Sequence, residues 1–177
     1  MSTLKVNTLQ DTSGNNLDRI GQIVTASTST TVSTSAGSLV DSGLTANITP
    51  QFTSSKILVL IDAPFHVFRS GSTTTFNIRI LRGSTSVFAG GASESDYQQG
   101  IGGSISSNRI CGMISKMIVD SPSSTSSLTY KLQVKSGFNA TVTMQDSTTA
   151  HITLMEILQW ANLKSIQSFQ QVAYQVV

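Results

Sequence analysis

Residues 128–135 read LTYKLQVK. Leu128, Tyr130, Leu132 and Val134 alternate with Thr129, Lys131, Gln133 and Lys135. Successive side chains of a strand point to opposite faces, so this segment has one apolar face and one wetted face. An antiparallel sheet that covers a core on one side requires that pattern. Ser136 and Gly137 then end the run with turn chemistry.

The same grammar extends in both directions. Upstream, Leu44, Ala46 and Ile48 alternate with Thr45 and Asn47 and stop at Pro50. Lys56-Ile-Leu-Val-Leu-Ile61 is a continuous apolar run, as expected of a strand buried on both faces. Phe65 and Val67, with His66 and Phe68 between and after them, carry it past Pro64. Phe76, Ile78 and Ile80 alternate with Asn77 and Arg79, and Val87-Phe88 is brief. Residues 22–25 are apolar, and the Ser/Thr run over 25–31 reads as a low-complexity bridge. Residues 89–108 hold many glycines and few large apolar side chains, so they read as one long loop. Residues 109–119 read as a long strand with a bulge at Gly112. Downstream, Val142 and Met144 and then residues 152–158 close the series. Eight to ten short strands between turn clusters predict an all-β antiparallel β-sandwich, jelly-roll-like.

Composition agrees. Ser and Thr account for 51 of the 177 residues, and charged residues for 11%, against about 25% in an average globular protein. Hydroxyl-rich, charge-poor sequence suits strands and turns and lacks the Glu, Lys and Ala that surface helices use. The net charge of +2 is spread along the chain, which gives no basic stripe and therefore no expectation of nucleic-acid binding. No stretch approaches the ~20 apolar residues of a membrane-spanning helix, so membrane insertion is not expected. No apolar signal region opens the sequence.

Three segments follow from these patterns. Residues 1–19 form an N-terminal strand arm, in which Leu4, Val6 and Leu9 supply the apolar contacts and residues 11–16, DTSGNN, supply a turn. Residues 20–158 form the β-sandwich. Residues 159–177 have another period: Trp160, Leu163, Ile166, Phe169, Val172 or Ala173, and Val176 recur every three or four residues among Gln and Ser, which predicts a short C-terminal helix. That helix packs either on its own sandwich or on another subunit.

Side chains with catalytic potential are sparse. Most acids sit beside Ser, Thr or Gly, where Asp is at home in turns. Glu94 and Asp96 are close together in the Gly-rich stretch, and with Tyr97 and Gln98 they make a candidate outer binding loop able to hold sugar hydroxyls. His66 and His151 are isolated in strand patterns, without metal-ligand spacing. Cys111 is the single cysteine and reads as a small buried hydrophobe. No catalytic residue, metal or cofactor is expected.

Three quoted stretches carry a resemblance. MSTLKVNTLQDTSGNN (1–16), GLTANITPQFTSSKILVLI (43–61) and HITLMEI (151–157) are similar to segments of tail-fibre and other virion proteins of tailed bacteriophages of marine or cyanobacterial type. The resemblance implies a non-enzymatic virion component made in the bacterial cytoplasm. It implies a homotrimer with its N-terminal arm toward the particle, so the expected partners are sister chains, other tail or capsid proteins, and a host-surface glycan. The chain lacks the long repetitive shaft of a typical fibre. A head decoration, or cement, protein is therefore the alternative within the same class, and a carbohydrate-binding or glycan-degrading module the alternative outside it.

Overall fold

The computed structural model describes residues 20–69, 73–90, 97–100, 108–137 and 140–158. Among them lie eleven strands and no helix. In chain order these are β1 (Ile20–Thr28), β2 (Val32–Thr34), β3 (Val40–Ile48), β4 (Lys56–Arg69), β5 (Thr73–Arg82) and β6 (Thr85–Ala89). There follow β7 (Tyr97–Gly100), β8 (Asn108–Asp120), β9 (Leu128–Gly137), β10 (Thr141–Met144) and β11 (Ala150–Ile157). All pairings are antiparallel, and the strands form two sheets, of six and five members. The expected all-β antiparallel sandwich is the fold observed.

The larger sheet is built on β4. One edge of β4 pairs with β8 without a break, from Ile57 opposite Asp120 to Arg69 opposite Asn108. The other edge is shared: β11 takes residues 56–62 and β10 takes residues 65–68. Outside these lie β1 against β11 and β2 against β10. Pro64 sits at the changeover. Its carbonyl accepts the Gln145 amide at 3.1 Å, and in an antiparallel strand a residue's N–H would point to that same side. The missing N–H therefore falls where the ladder is already interrupted, and the strand crosses a proline without losing a rung.

The smaller sheet runs β3-β9-β5, and β5 is shared by β6 at one end and β7 at the other. Gly83 turns β5 into β6 with φ +57, a conformation that suits Gly in a two-residue hairpin. The core lies between the sheets. Ile57, Val59, Ile61 and Val67 of β4 face Phe76, Ile78, Ile80, Leu132 and Val134, and all are buried. Phe65 and Phe76 meet across the layers with ring centroids 4.5 Å apart. A buried side chain of this size contributes about 1.5–3 kcal/mol.

Four sequence readings are corrected. Residues 89–108 are not one continuous loop, because Tyr97–Gly100 pairs with Thr73–Phe76 as β7; a Gly- and Gln-rich strand has no alternation to betray it. The 25–31 bridge is partly strand, since β1 runs to Thr28. Gly112 is no bulge, because the register passes through it; a Cβ there would stand 3.0 Å from Cζ of Phe65, the residue opposite. The run 56–61 is not buried on both faces: Ile57, Val59 and Ile61 are, whereas Leu58 and Leu60 are half-exposed. The N-terminal arm and the C-terminal helix lie outside the described residues.

Two substitutions on β9 test this layering. Leu132→Ala removes a fully buried side chain and is expected to lower the unfolding free energy by about 3 kcal/mol. Thr129→Ala on the opposite, exposed face changes it by less than about 0.5 kcal/mol. Urea denaturation of both variants measures the difference.

Candidate functional site

Two polar constellations stand out in the larger sheet. The first surrounds Glu156 of β11, which is fully buried. Its Oε2 accepts Nε2 of Gln22 at 2.8 Å, and its Oε1 accepts the Gln51 amide at 2.6 Å. Gln22 Nε2 also reaches the Thr49 carbonyl at 2.6 Å, and Gln51 Nε2 donates to the Gly21 carbonyl at 3.1 Å. The start of β1, the turn between β3 and β4, and the end of β11 are thus joined through one carboxylate. Gly21 is required there: a Cβ would lie 2.8 Å from Glu156 Oε2 and 2.8 Å from Leu158 Cδ2. Burial opposes ionisation of Glu156, but the hydrogen bonds to its charged form outweigh burial and hold the carboxyl below the usual glutamate value.

The second lies on the outward face where β4, β8 and the β10–β11 turn meet. It is a depression of about 230 Å³ lined by Pro64, His66, Arg109, Cys111, Asp146 and Thr148, among others. His66 and Cys111 are cross-strand neighbours. Asp146 Oδ2 is 3.3 Å from His66 Nδ1, and Arg109 Nη2 is 3.2 Å from the same nitrogen and 3.8 Å from the carboxylate. The turn that presents Asp146 holds both neighbours left-handed, Gln145 at φ 54 and Ser147 at φ 56, at a cost of about 1 kcal/mol each.

Cysteine, histidine and aspartate together are the residue types of a nucleophile, its base and an orienting acid. Here the geometry works against that chemistry. A base needs its free lone pair toward the thiol and its N–H toward the acid. Arg109 can only donate, and it stands at the same Nδ1 to which Asp146 would have to bind in order to orient the ring, so the cation competes with the acid for that nitrogen. Burial and the neighbouring Arg109 charge lower the His66 pKa against the pull of Asp146, so the ring is neutral at pH 7. The arrangement ties β8 to the β10–β11 turn across β4.

A third cluster joins the two sheets. Asp120 Oδ2 accepts Arg82 Nη1 at 2.5 Å and the Tyr130 hydroxyl at 2.6 Å, and burial and this carboxylate push the phenol upward. Among the described residues no group of three or more His, Cys, Asp or Glu is arranged to hold a metal ion.

The sequence-derived candidates fare unevenly. Leu4, Val6, Leu9, Glu94, Asp96, Trp160, Leu163, Ile166 and Phe169 lie outside the described residues. Tyr97 and Gln98 belong to β7 rather than to a loop. Cys111 is exposed, not buried, because it occupies an outward position of edge strand β8. The role of Glu156 was not foreseen: a single acid inside an apolar strand run was the available signal. His66 with Asp146 could not be paired from sequence, since 80 positions separate them.

No family model and no curated protein matches the chain. Solved structures similar to it include a chain of the infectious bursal disease virus Gx strain, at 10% identity and a TM-score of 0.34, covering 99% of this chain and 52% of that one. T=1 particles derived from infectious bursal virus give 12% identity and a TM-score of 0.36, covering 90% and 41%. The chain spans about half the length, or less, of these viral chains.

Both constellations are expected to appear in the pH dependence of stability. His66 has a folded pKa below its ordinary 6.5, so the unfolded state binds more protons there and stability falls as pH drops below that value. His66→Gln should flatten the loss between about pH 6.5 and 5. Glu156, lowered from 4.5, contributes stability that is present above that value and lost as pH falls through the lower, folded one. Glu156→Ala orphans buried donors and is expected to cost about 3 kcal/mol at neutral pH; Gly21→Ala should cost about 1–3 kcal/mol by overpacking. Thermal unfolding across pH measures all three.

Proposed function

We propose that this chain is a non-enzymatic structural protein of a bacteriophage virion, a homotrimeric short tail fibre or tail-associated adhesin attached through residues 1–19. The observation that supports it is the physical union of two stretches that resemble phage virion proteins. Residues 43–61 supply most of β3, the turn after it and the first part of β4, and residues 151–157 supply β11. β11 pairs with β4 over seven residues, and Glu156 of the second stretch binds the Gln51 amide of the first. The resemblance therefore covers one folding unit held by its own interior hydrogen bonds.

In this reading Leu4, Val6 and Leu9 enter a neighbouring virion protein, each adding about 1.5–3 kcal/mol before ordering costs. Three arms on one trimer reinforce one another through effective concentration. Host-surface glycan is the outward partner, and the region of Glu94, Asp96, Tyr97 and Gln98 is its contact. The protein is made in the host cytoplasm and resides in the particle. A cement role differs only in position, on the head lattice.

Light scattering on the purified chain is expected to give three times the 18.8 kDa of one copy; a persistent monomer overturns the trimer. Quantitative mass spectrometry of purified particles then separates the positions: few copies relative to the major capsid protein place it on the tail, near-equal numbers on the head. Turnover of a glycan that is lost in Glu94→Gln or Asp96→Asn would contradict the non-enzymatic assignment.

A further inference from the structure

The outward face of the larger sheet is divided. At one end Ser115, Asp62, His151 and Ser27 stand in register across β8, β4, β11 and β1. Two rows away, toward the end where the chain enters at Ile20, the corresponding positions are Val119, Leu58, Met155 and Ile23. Met117 and Leu60 lie in the row between, and Ile20 pairs with Ile157 beyond. Exposure is 50% for Ile20, 55% for Ile23, 70% for Met117 and 56% for Val119. Single exposed apolar residues are ordinary, but a contiguous set across four strands marks a surface that something covers.

Three observations name the occupant. The chain passes from Ile157, in the row bordering this zone, to Leu158 and on to residues 159–177, so that segment starts at the edge of the patch. Leu163, Ile166, Phe169 and Ala173 fall within about 120° of one another around a helix and give it one apolar face, with Trp160 beside Leu163, and the segment contains no acid and one base, Lys164. The dimensions agree: a helix rising 1.5 Å per residue carries Leu163 to Ala173 over about 15 Å, and four strands at about 4.8 Å spacing span about 14 Å from first to last. The zone covers on the order of 300–400 Å² from these spacings. That suits one short helix and falls well short of the ~800 Å² per partner of a stable association between molecules.

We infer that residues 159–177 dock as an amphipathic helix on the apolar zone formed by Val119, Leu58, Met155, Ile23, Met117 and Leu60. The tail becomes a third layer over one end of the larger sheet and converts an exposed face into interior. This inference stands independently of the virion reading.

Trp160 is the chain's single tryptophan, so its fluorescence reports the docking. In the full-length protein its emission is expected to be blue-shifted, protected from acrylamide and unchanged on dilution. Met117→Asp combined with Val119→Asp should move it to the water-exposed position while the far-ultraviolet strand signal persists. A second readout needs no variant. Met113, at 51% exposure, lies outside the zone, whereas Met117, at 70%, lies inside it. Under dilute peroxide, followed by peptide mass spectrometry, a covered Met117 oxidises several-fold more slowly than Met113; on a bare sheet it oxidises faster. Water-like emission in the unmodified chain, or Met117 oxidising ahead of Met113, overturns the inference. So does a blue shift that the double variant leaves in place, or one that vanishes on dilution and so belongs to a second copy.

Discussion

The backbone ladder on β4 is the constraint on which the rest of the molecule depends. Over fourteen residues this strand gives one edge wholly to β8 and divides the other between β11 and β10. Every other strand of the larger sheet is placed directly by β4 or by a strand that β4 holds. A shared edge has an interruption somewhere, and the interruption falls at Pro64, the residue that has no N–H to lose. The β10–β11 turn answers with the Gln145 amide on the Pro64 carbonyl, and the same turn then carries Asp146 to His66. One imino acid thus fixes both a ladder defect and the position of a polar cluster.

Glu156 does for the end of the sandwich what β4 does for its middle. Its partners lie 134 and 105 positions away in sequence, so its carboxylate closes long loops that backbone pairing alone leaves open. A buried carboxylate is tolerable only when its lone pairs are occupied, and Gln22 and Gln51 occupy them. The closeness that makes this possible excludes any side chain at Gly21. Charge, amide donors and a missing Cβ form one unit, and losing any part leaves buried polar groups without partners.

The His66 cluster shows why residue types alone do not make a site. Cysteine, histidine and aspartate come together, yet Arg109 stands on the ring nitrogen that the aspartate would need. Across the described residues polar side chains repeatedly close contacts between strands or between sheets: Asp120 with Arg82 and Tyr130, Asp41 with Lys131 and Gln133, Ser33 with Thr143.

Alternation of apolar and polar residues was enough to read β3, β5 and β9 and the covered side of each, because the two-residue period of a strand is written locally. It was enough for the fold class, since only stacked or closed sheets cover so many one-sided strands. It failed at β7, where YQQG has no alternation, and at Cys111, whose exposure depends on β8 being an edge. Edge and centre, the division of β4 between two partners, the meeting of Glu156 with Gln22 and Gln51, and the competition of Arg109 and Asp146 for His66 were decided by tertiary structure alone. The physical reason is the same each time: a local period specifies which way a side chain points, whereas its neighbour is set by chain closure across a hundred residues, which no short window of sequence encodes.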